Sequence, residues 1–407
     1  MSSALVDSKR GANRDAAMKL VVLFGIVSLL SDMTYEGARS VTGPFLATLG
    51  ASGTVVGLVA GLGEFIGYGL RIVSGYVSDR TGQYWLMTGL GYAFNLLAVP
   101  LLAVAGNWQL AAALMIAERT GKAIRKPARD TMLSYATSQV GHGWGFAVHE
   151  AMDQIGAVIG PLLMALALSA GGGYRSAFRI LLVPALLTLG VLVVARVLYP
   201  KPRDLEAKTT VIESKGLPQR FWVYILSIGL VAAGYADFPL IAFHLKQTAA
   251  IPDTWVPLLY AGAMGIDAVA ALFFGWLFDR IKVGSLIWAV SVSAFFAPFA
   301  FLGGIHAAYV GIALWGIGMG AQESILKSAI ADMVIPERRG SAYGIFNASY
   351  GLFWFAGSAL MGVLYDVSIP LLVCFSVAAQ VVSVVALAAV NRGAARSCGE
   401  SAQNHLP

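Results

Sequence analysis

The chain of 407 residues is 57% hydrophobic and only 12% charged, with a formal net charge of +6. Soluble domains carry about 25% charged residues, and a mean hydropathy of +0.72 is too high for a surface coated by water. These figures exclude a disordered, collagenous or nucleic-acid-binding chain and argue against a soluble enzyme. The apolar residues fall in long blocks, which makes lipid the expected solvent.

A helix needs about 20 apolar residues to cross the bilayer core. Such blocks start near Leu20, Val55, Tyr84, Leu110, Trp144 and Phe178, and again near Phe221, Thr254, Ser285, Ala308, Tyr343 and Ile369. The pattern predicts an all-α membrane protein of twelve transmembrane helices in two six-helix bundles. A lipid-spanning barrel would need roughly ten-residue alternating segments, whereas these runs are apolar on both faces. Residues 1–17 read as a tail, 18–199 as the first bundle, 200–219 as a linker, 220–390 as the second bundle and 391–407 as a second tail. The linker mixes Lys201, Arg203, Lys208 and Lys215 with Asp204, Glu206 and Glu213 and is too short to bury a core of its own.

Lys and Arg placement sets orientation. Lys9, Arg10, Arg14, Arg80, the linker, Arg280, Lys282, Arg338, Arg339, Arg392 and Arg396 all fall on one side of the predicted spans. Both termini, the linker and the tails are therefore expected in the cytoplasm, with the chain multi-pass in the plasma (inner) membrane. No early apolar core with a small-residue cleavage site is visible, so no cleavable signal is expected. Cys374 and Cys398 are the only cysteines, which predicts neither a disulfide framework nor a Cys-based metal site. No cofactor or metal is expected.

The two halves repeat at an offset of two hundred positions. Thr54, Val56, Leu58 and Ile66 match Thr254, Val256, Leu258 and Ile266, and Gly75, Asp79 and Arg80 match Gly275, Asp279 and Arg280. Six spans return the chain to the same side, so the halves run parallel. Repeats of this kind place a binding site near the midplane.

The segment GYVSDRTG at Gly75–Gly82, its weaker copy at Gly275–Lys282, and PERRGSAYG at Pro336–Gly344 resemble the loop signatures of the major facilitator superfamily. The resemblance covers Met18 to Val390. The second copy lacks the later glycine, and Gln83 stands where a basic residue is usual. The resemblance implies twelve helices with alternating access, and a cytoplasmic gate built from Gly75, Asp79, Arg80, Asp279 and Arg280. Arg129 is expected to pair with Asp79. The alternative is an ordinary charged turn that satisfies the orientation rule.

Ionisable residues inside a bilayer are costly and mark pathways or pairs. Spans three, nine and twelve have none, and Asn95 and Gln380 are their notable polar side chains; the resemblance makes these spans lipid-facing. Span one carries Asp32, Glu36 and Arg39 on one helical face, with Asp32 roughly 18 Å from the cytoplasmic start. Span two carries Glu64 and Arg71. Span four reads MIAERTGKAIRKPARD: Glu118, Lys122, Arg125 and Arg129 share one face, with Arg119, Lys126 and Asp130 about a quarter-turn away. Such a helix must line a wet cavity, and Pro127 is expected to disturb its last turn. Span five carries His149 and Asp153, one turn apart and spaced to pair. Asp237 is the charge in span seven.

A titratable carboxylate beside a substrate-binding cation suits proton coupling. The proton-carrier candidates are Asp32, Glu36, Glu64 and Asp153. The substrate-binding candidates are Arg119, Lys122, Arg125, Glu118 and Asp237. Gly156, Gly160 and Pro161 resemble the proton-antiporter motif of drug-exporting family members, although Leu162, Leu163 and Met164 replace the usual small residues. Close helix packing is the alternative explanation of this run.

The reading is a secondary active transporter that moves a small organic solute by alternating access, proton-coupled and exporting as an antiporter, with an anionic or polar substrate. An uptake symporter for an organic anion is the first alternative, and a transport-like membrane sensor the second. No HExxH pair, nucleophile elbow or GxxxxGK[ST] loop occurs, so no enzyme is expected. The expected partners are the substrate, protons and the lipid bilayer, with no nucleic acid and a monomer as the working unit.

Overall fold

The computed structural model describes residues 2–140, 142–201, 217–248, 251–334 and 339–403. Most of the predicted linker, and Pro336–Arg338 of the later basic loop, lie outside the described residues. Among these residues there is no strand. The helices are α1 (Ser2–Thr48), α2 (Gly53–Thr81), α3 (Tyr84–Leu101), α4 (Trp108–Val140), α5 (His142–Ser169), α6 (Gly173–Ile180), α7 (Leu182–Leu198) and α8 (Gln219–Gly234). They continue as α9 (Phe238–Gln247), α10 (Trp255–Ile281), α11 (Val283–Ser293), α12 (Phe296–Phe301), α13 (Ile305–Met333), α14 (Arg339–Val367) and α15 (Ile369–Gln403).

Each predicted span corresponds to a helical stretch, with α6 and α7, α8 and α9, and α11 and α12 each serving as one interrupted span. Ten stretches among the described residues are long and apolar enough to cross a membrane by length and composition. The two outside that set are α4 and α13, and α4 carries the charge run Glu118–Asp130.

Local chemistry explains several ends and one absence of an end. The Asn107 side chain accepts from Leu110 N at 2.8 Å and starts α4. Asp366 accepts from Gly53 N at 2.9 Å and Thr54 N at 2.7 Å and starts α2, satisfying donors that have no partner inside the helix. In the seventh span α8 stops at Gly234, and Tyr235–Asp237 leave the helix before α9 resumes with proline in its first turn. A proline there loses no bond.

Pro127 is expected to disturb the last turn of the fourth span; in the structure it lies inside α4, which runs on past it. A mid-helix proline leaves the carbonyl four residues earlier without a donor. That carbonyl is Ala123 O, and it receives Ser74 Oγ of α2 at 2.8 Å. The neighbouring helix supplies the missing bond, and α4 runs on to Val140.

The chain gathers into two compact units. One comprises Met1–Phe45, Ile66–Thr210 and Asp253–Ala261; the other comprises Leu46–Phe65, Val211–Pro252 and Gly262–Pro407. In the first unit Leu20 and Phe24 of α1, Tyr92 and Leu96 of α3, and Met132 and Leu133 of α4 form the buried core. Phe24 stacks on Trp85 at 5.8 Å. Glycines let α3 lie on α4 at backbone distance: a Cβ on Gly91 would sit 2.6 Å from Arg125 N, and one on Gly121 would sit 2.3 Å from Asn95 N. In the second unit Ser376 and Ser383 of α15 donate to Gly234 O at 2.6 Å and Ser227 O at 2.8 Å of α8.

The sequence repeat has a structural counterpart inside each unit. Gly75 faces Pro127 of α4, and Gly275 faces Ser324 of α13. Arg80 bonds to the Tyr76 hydroxyl at 3.2 Å, while Arg280 lies 3.9 Å from the Trp276 ring centre. Gly82 has φ +66°, and its counterpart Lys282 adopts φ +52°. The turn is thus retained without its glycine, at a backbone cost of about 1–3 kcal/mol. Lys282 is partly compensated by an ion pair with Asp332 at 2.9 Å, roughly half exposed and worth about 0–1 kcal/mol. Lys282→Gly is therefore expected to raise thermal stability despite deleting the ion pair. A lower melting temperature would remove the strain account.

Candidate functional site

In the first unit, α1, α4 and α5 bring together most of the predicted intramembrane charges. Asp32 is 4% exposed. Its Oδ2 accepts the Tyr35 hydroxyl at 2.7 Å, and its Oδ1 is buried without a hydrogen-bond partner. Lys122 and Arg125 of α4 and Asp153 of α5 face it. One turn along α1, Glu36 Oε2 accepts the Tyr260 hydroxyl at 2.5 Å. Its other oxygen lies 3.9 Å from both Arg39 and Lys122.

The basic face of α4 is internally balanced. Lys122 Nζ sits 3.8 Å over the Tyr35 ring centre. Glu118 is held on one oxygen by Asn95 Nδ2 at 2.7 Å and on the other by Arg119 Nε at 3.3 Å. Arg125 is among the largest fully enclosed side chains. Its guanidinium donates to Ser31 Oγ at 3.2 Å and lies 4.2 Å from the Tyr92 ring centre. Arg125 thus ties α4 to α1 and α3, whereas the side chains of Arg119 and Lys122 keep some exposure.

Two expected pairings differ from the structure. Arg129 does not pair with Asp79. It forks onto Asp130 at 2.7 and 2.9 Å and donates to Ser28 Oγ at 2.9 Å, because its long side chain reaches its own neighbour before the exposed end of α2 that carries Asp79. Asp79 accepts the Tyr84 hydroxyl at 3.3 Å instead. His149 does not pair with Asp153: its Nε2 meets Ser28 Oγ at 3.3 Å and its Nδ1 has no partner. Ser28 is the small side chain both α4 and α5 converge on. Glu64 and Asp237 belong to the second unit. Asp237 is buried where α8 gives way to α9. Asp279 and Arg280 end α10 in exposed positions of the second unit.

The glycine motif has a clear packing role. A Cβ on Gly156 would stand 2.2 Å from Leu29 O, and one on Gly160 would stand 2.4 Å from Met33 O. These glycines, beside Pro161, seat α5 on the backbone of α1 and so place Asp153 opposite Asp32. Tyr35, Tyr92, Tyr260, Asn95, Ser28 and Ser31 were missed as site residues. For Ser28, Ser31 and Tyr35 the signal is polar spacing along α1, where they recur with Asp32 and Glu36 every three or four positions.

The major facilitator superfamily model matches residues 24–358 and 239–396, nearly the whole chain. The chain belongs to the major facilitator superfamily. It is 42% identical over 392 residues to an uncharacterised protein of Mycobacterium tuberculosis, covering 94% of this chain and 96% of that one. The multidrug resistance protein MdtH of Proteus mirabilis is 24% identical, with 79% and 81% covered. Among solved structures, the nucleoside transporter NupG superposes with a TM-score of 0.70 at 15% identity, covering 91% of this chain and 98% of that one. Membership in the superfamily makes this a multi-pass membrane transporter of a small molecule and not an enzyme. The Gly75–Arg80 and Gly275–Arg280 segments form the C-terminal turns of α2 and α10.

Proposed function

We propose that the protein is a proton-coupled secondary transporter in which Asp32 carries the proton and Lys122, with Arg119, meets an anionic or polar organic substrate. The observation that carries this reading is the Asp32 carboxyl group, with one oxygen fixed by Tyr35 and the other buried and open to a proton. A carboxyl group at this depth and in this state is expensive to keep unless it is used. Glu36 and Lys122 stand one turn away, so a change of charge at Asp32 alters what Lys122 is free to bind.

Export by antiport is the favoured direction. It is supported by the Gly156, Gly160 and Pro161 motif and by the likeness to a multidrug resistance protein. The internal pairing of Glu118 with Arg119 favours a substrate of modest charge over a polyanion. The proposal places both termini in the cytoplasm, with residues 18–199 and 220–390 as the moving halves of a monomer. The test is transport in proteoliposomes, using a substrate found by thermal stabilisation of the purified protein. Flux is expected to follow an imposed pH gradient and to cease when a protonophore collapses it. Flux indifferent to the gradient would remove proton coupling.

A further inference from the structure

Helix α14 carries a second, uncharged constellation inside the second unit. Asn347, Trp354 and Ser358 each hold a side-chain polar atom that is buried and without a hydrogen-bond partner. At 100° per residue the three fall within about 40° of one another, on a stripe roughly 16 Å long. Trp354 is 3% exposed and Ser358 2%. Unmet polar atoms away from water cost about 1–3 kcal/mol each, so those of Trp354 and Asn347 favour a partner that supplies one acceptor and one donor.

Ser358 marks the α2 edge of the stripe, its Cβ against Gly61 and its carbonyl against Gly57, beside Phe355 and Gly362. On the other side Phe353 and Gly357 press against Gly229 and Ala233 of α8. Around it stands an aromatic cage. Tyr350 is 5.5 Å from Trp354 and 5.3 Å from Phe346, and Tyr235 is 6.4 Å from Trp354. Gln322 of α13 fixes the cage by accepting the Tyr350 hydroxyl at 2.9 Å, while its own amide donates to Gly318 O. Trp315 backs Tyr235 and is anchored to Ala236 O at 2.9 Å, at the gap between α8 and α9.

We infer that this stripe is a binding surface for a flat heteroaromatic ring system, with Trp354 Nε1–H donating to a ring acceptor and Asn347 Oδ1 accepting from an amino group. The two residues are seven positions apart, about 10 Å along the axis, which matches an amino-substituted fused bicycle. Aromatic walls with a few placed polar groups are the usual make-up of a small-molecule site, and offset or edge-to-face ring contacts hold a flat partner. The inference deepens the transport reading by naming a substrate class. It does not depend on proton coupling.

The test is equilibrium dialysis of the full-length protein in lipid nanodiscs against 6-aminoquinoline, with empty nanodiscs subtracted and decahydroquinoline as the puckered counterpart. The expected result is saturable binding of 6-aminoquinoline and none of decahydroquinoline. Trp354→Phe and Asn347→Ala should each weaken binding about five- to tenfold, the worth of one hydrogen bond, and Phe273→Leu on the exposed face of α10 should leave it unchanged. Absent saturable binding, equal binding of the two probes, or unchanged affinity in both stripe variants would overturn the inference. If Trp354→Phe fails to fold, Asn347→Ala decides. Because no gradient is applied, unchanged gradient-driven transport in Asp32→Asn with retained 6-aminoquinoline binding would sink the coupling reading alone.

Discussion

Asp32→Asn is expected to reduce gradient-driven transport to the level of empty vesicles while leaving the protein folded and able to exchange substrate across the membrane without a gradient. The replacement is close to isosteric. The amide oxygen can still accept the Tyr35 hydroxyl, a bond 2.7 Å long in the present structure, and the amide nitrogen replaces Oδ1, which has no partner to lose. What disappears is the ability to change charge. Every state of the variant then resembles the protonated carrier. Lys122, 3.9 Å from Glu36, loses the second acid that faces it across α1. Tyr35→Phe provides the graded comparison. It keeps the carboxyl group and removes its one donor, so it should shift the pH dependence of transport without abolishing it. Phe273→Leu, on the exposed face of α10, should change neither. Gradient-driven uptake by Asp32→Asn at the parental rate would end the assignment of Asp32 as proton carrier.

The legible part of this site was the part made of charge. Asp32, Glu36, Glu118, Lys122 and Arg125 stand out because lipid tolerates few ionisable groups, and helical periodicity puts them on faces that do meet. The partners were not legible. Tyr35, Tyr92 and Tyr260 are ordinary amphipathic residues in a span, and nothing local says that one takes a carboxylate and another a guanidinium. Asn95 sits in a helix with no charge, whose exposed face of Leu86, Leu90 and Phe94 does suit lipid. Its role appears only when Gly91 and Gly121 bring α3 onto α4 and set it against Glu118.

Arg129 shows a second limit. Adjacent helical residues diverge by about 100°, so a bond from Arg129 to Asp130 is not suggested by periodicity; side-chain length overrides it. Pro127 shows a third. The helix-breaking rule is local, whereas the rescue of Ala123 O by Ser74 comes from another helix fifty residues earlier. The aromatic stripe of α14 was hidden for the opposite reason. Its residues are common in any apolar span, and only their lack of partners beside an aromatic cluster marks them.

Gly156→Ala and Gly160→Ala should destabilise the protein strongly, and the same change at Gly190 should not. The three substitutions are chemically identical and all lie inside helices, where alanine is favoured over glycine by about 0.5–1 kcal/mol. At Gly190, on α7, an added Cβ meets nothing within 4 Å, so the helix preference should emerge as a small gain in melting temperature. At Gly156 the added carbon would lie 2.2 Å from Leu29 O, and at Gly160 2.4 Å from Met33 O and 2.9 Å from Gly37 N. These obstacles are backbone atoms of α1 and cannot rotate away. Separation of α1 from α5 costs about 1–3 kcal/mol or more for one added carbon in a filled interior, and it moves Asp153 and His149 away from Ser28 and Asp32. Both variants should therefore lose thermal stability and gradient-driven transport together, and Gly156→Leu should give no monodisperse protein at all. Gly75→Ala is the intermediate case: its Cβ would rest 3.5 Å from the Pro127 ring, an ordinary contact, and should be tolerated. Equal melting temperatures for Gly156→Ala and Gly190→Ala would mean that α1 and α5 do not meet at backbone distance. A stable Gly156→Ala without transport would instead assign the motif to the transport cycle and not to packing.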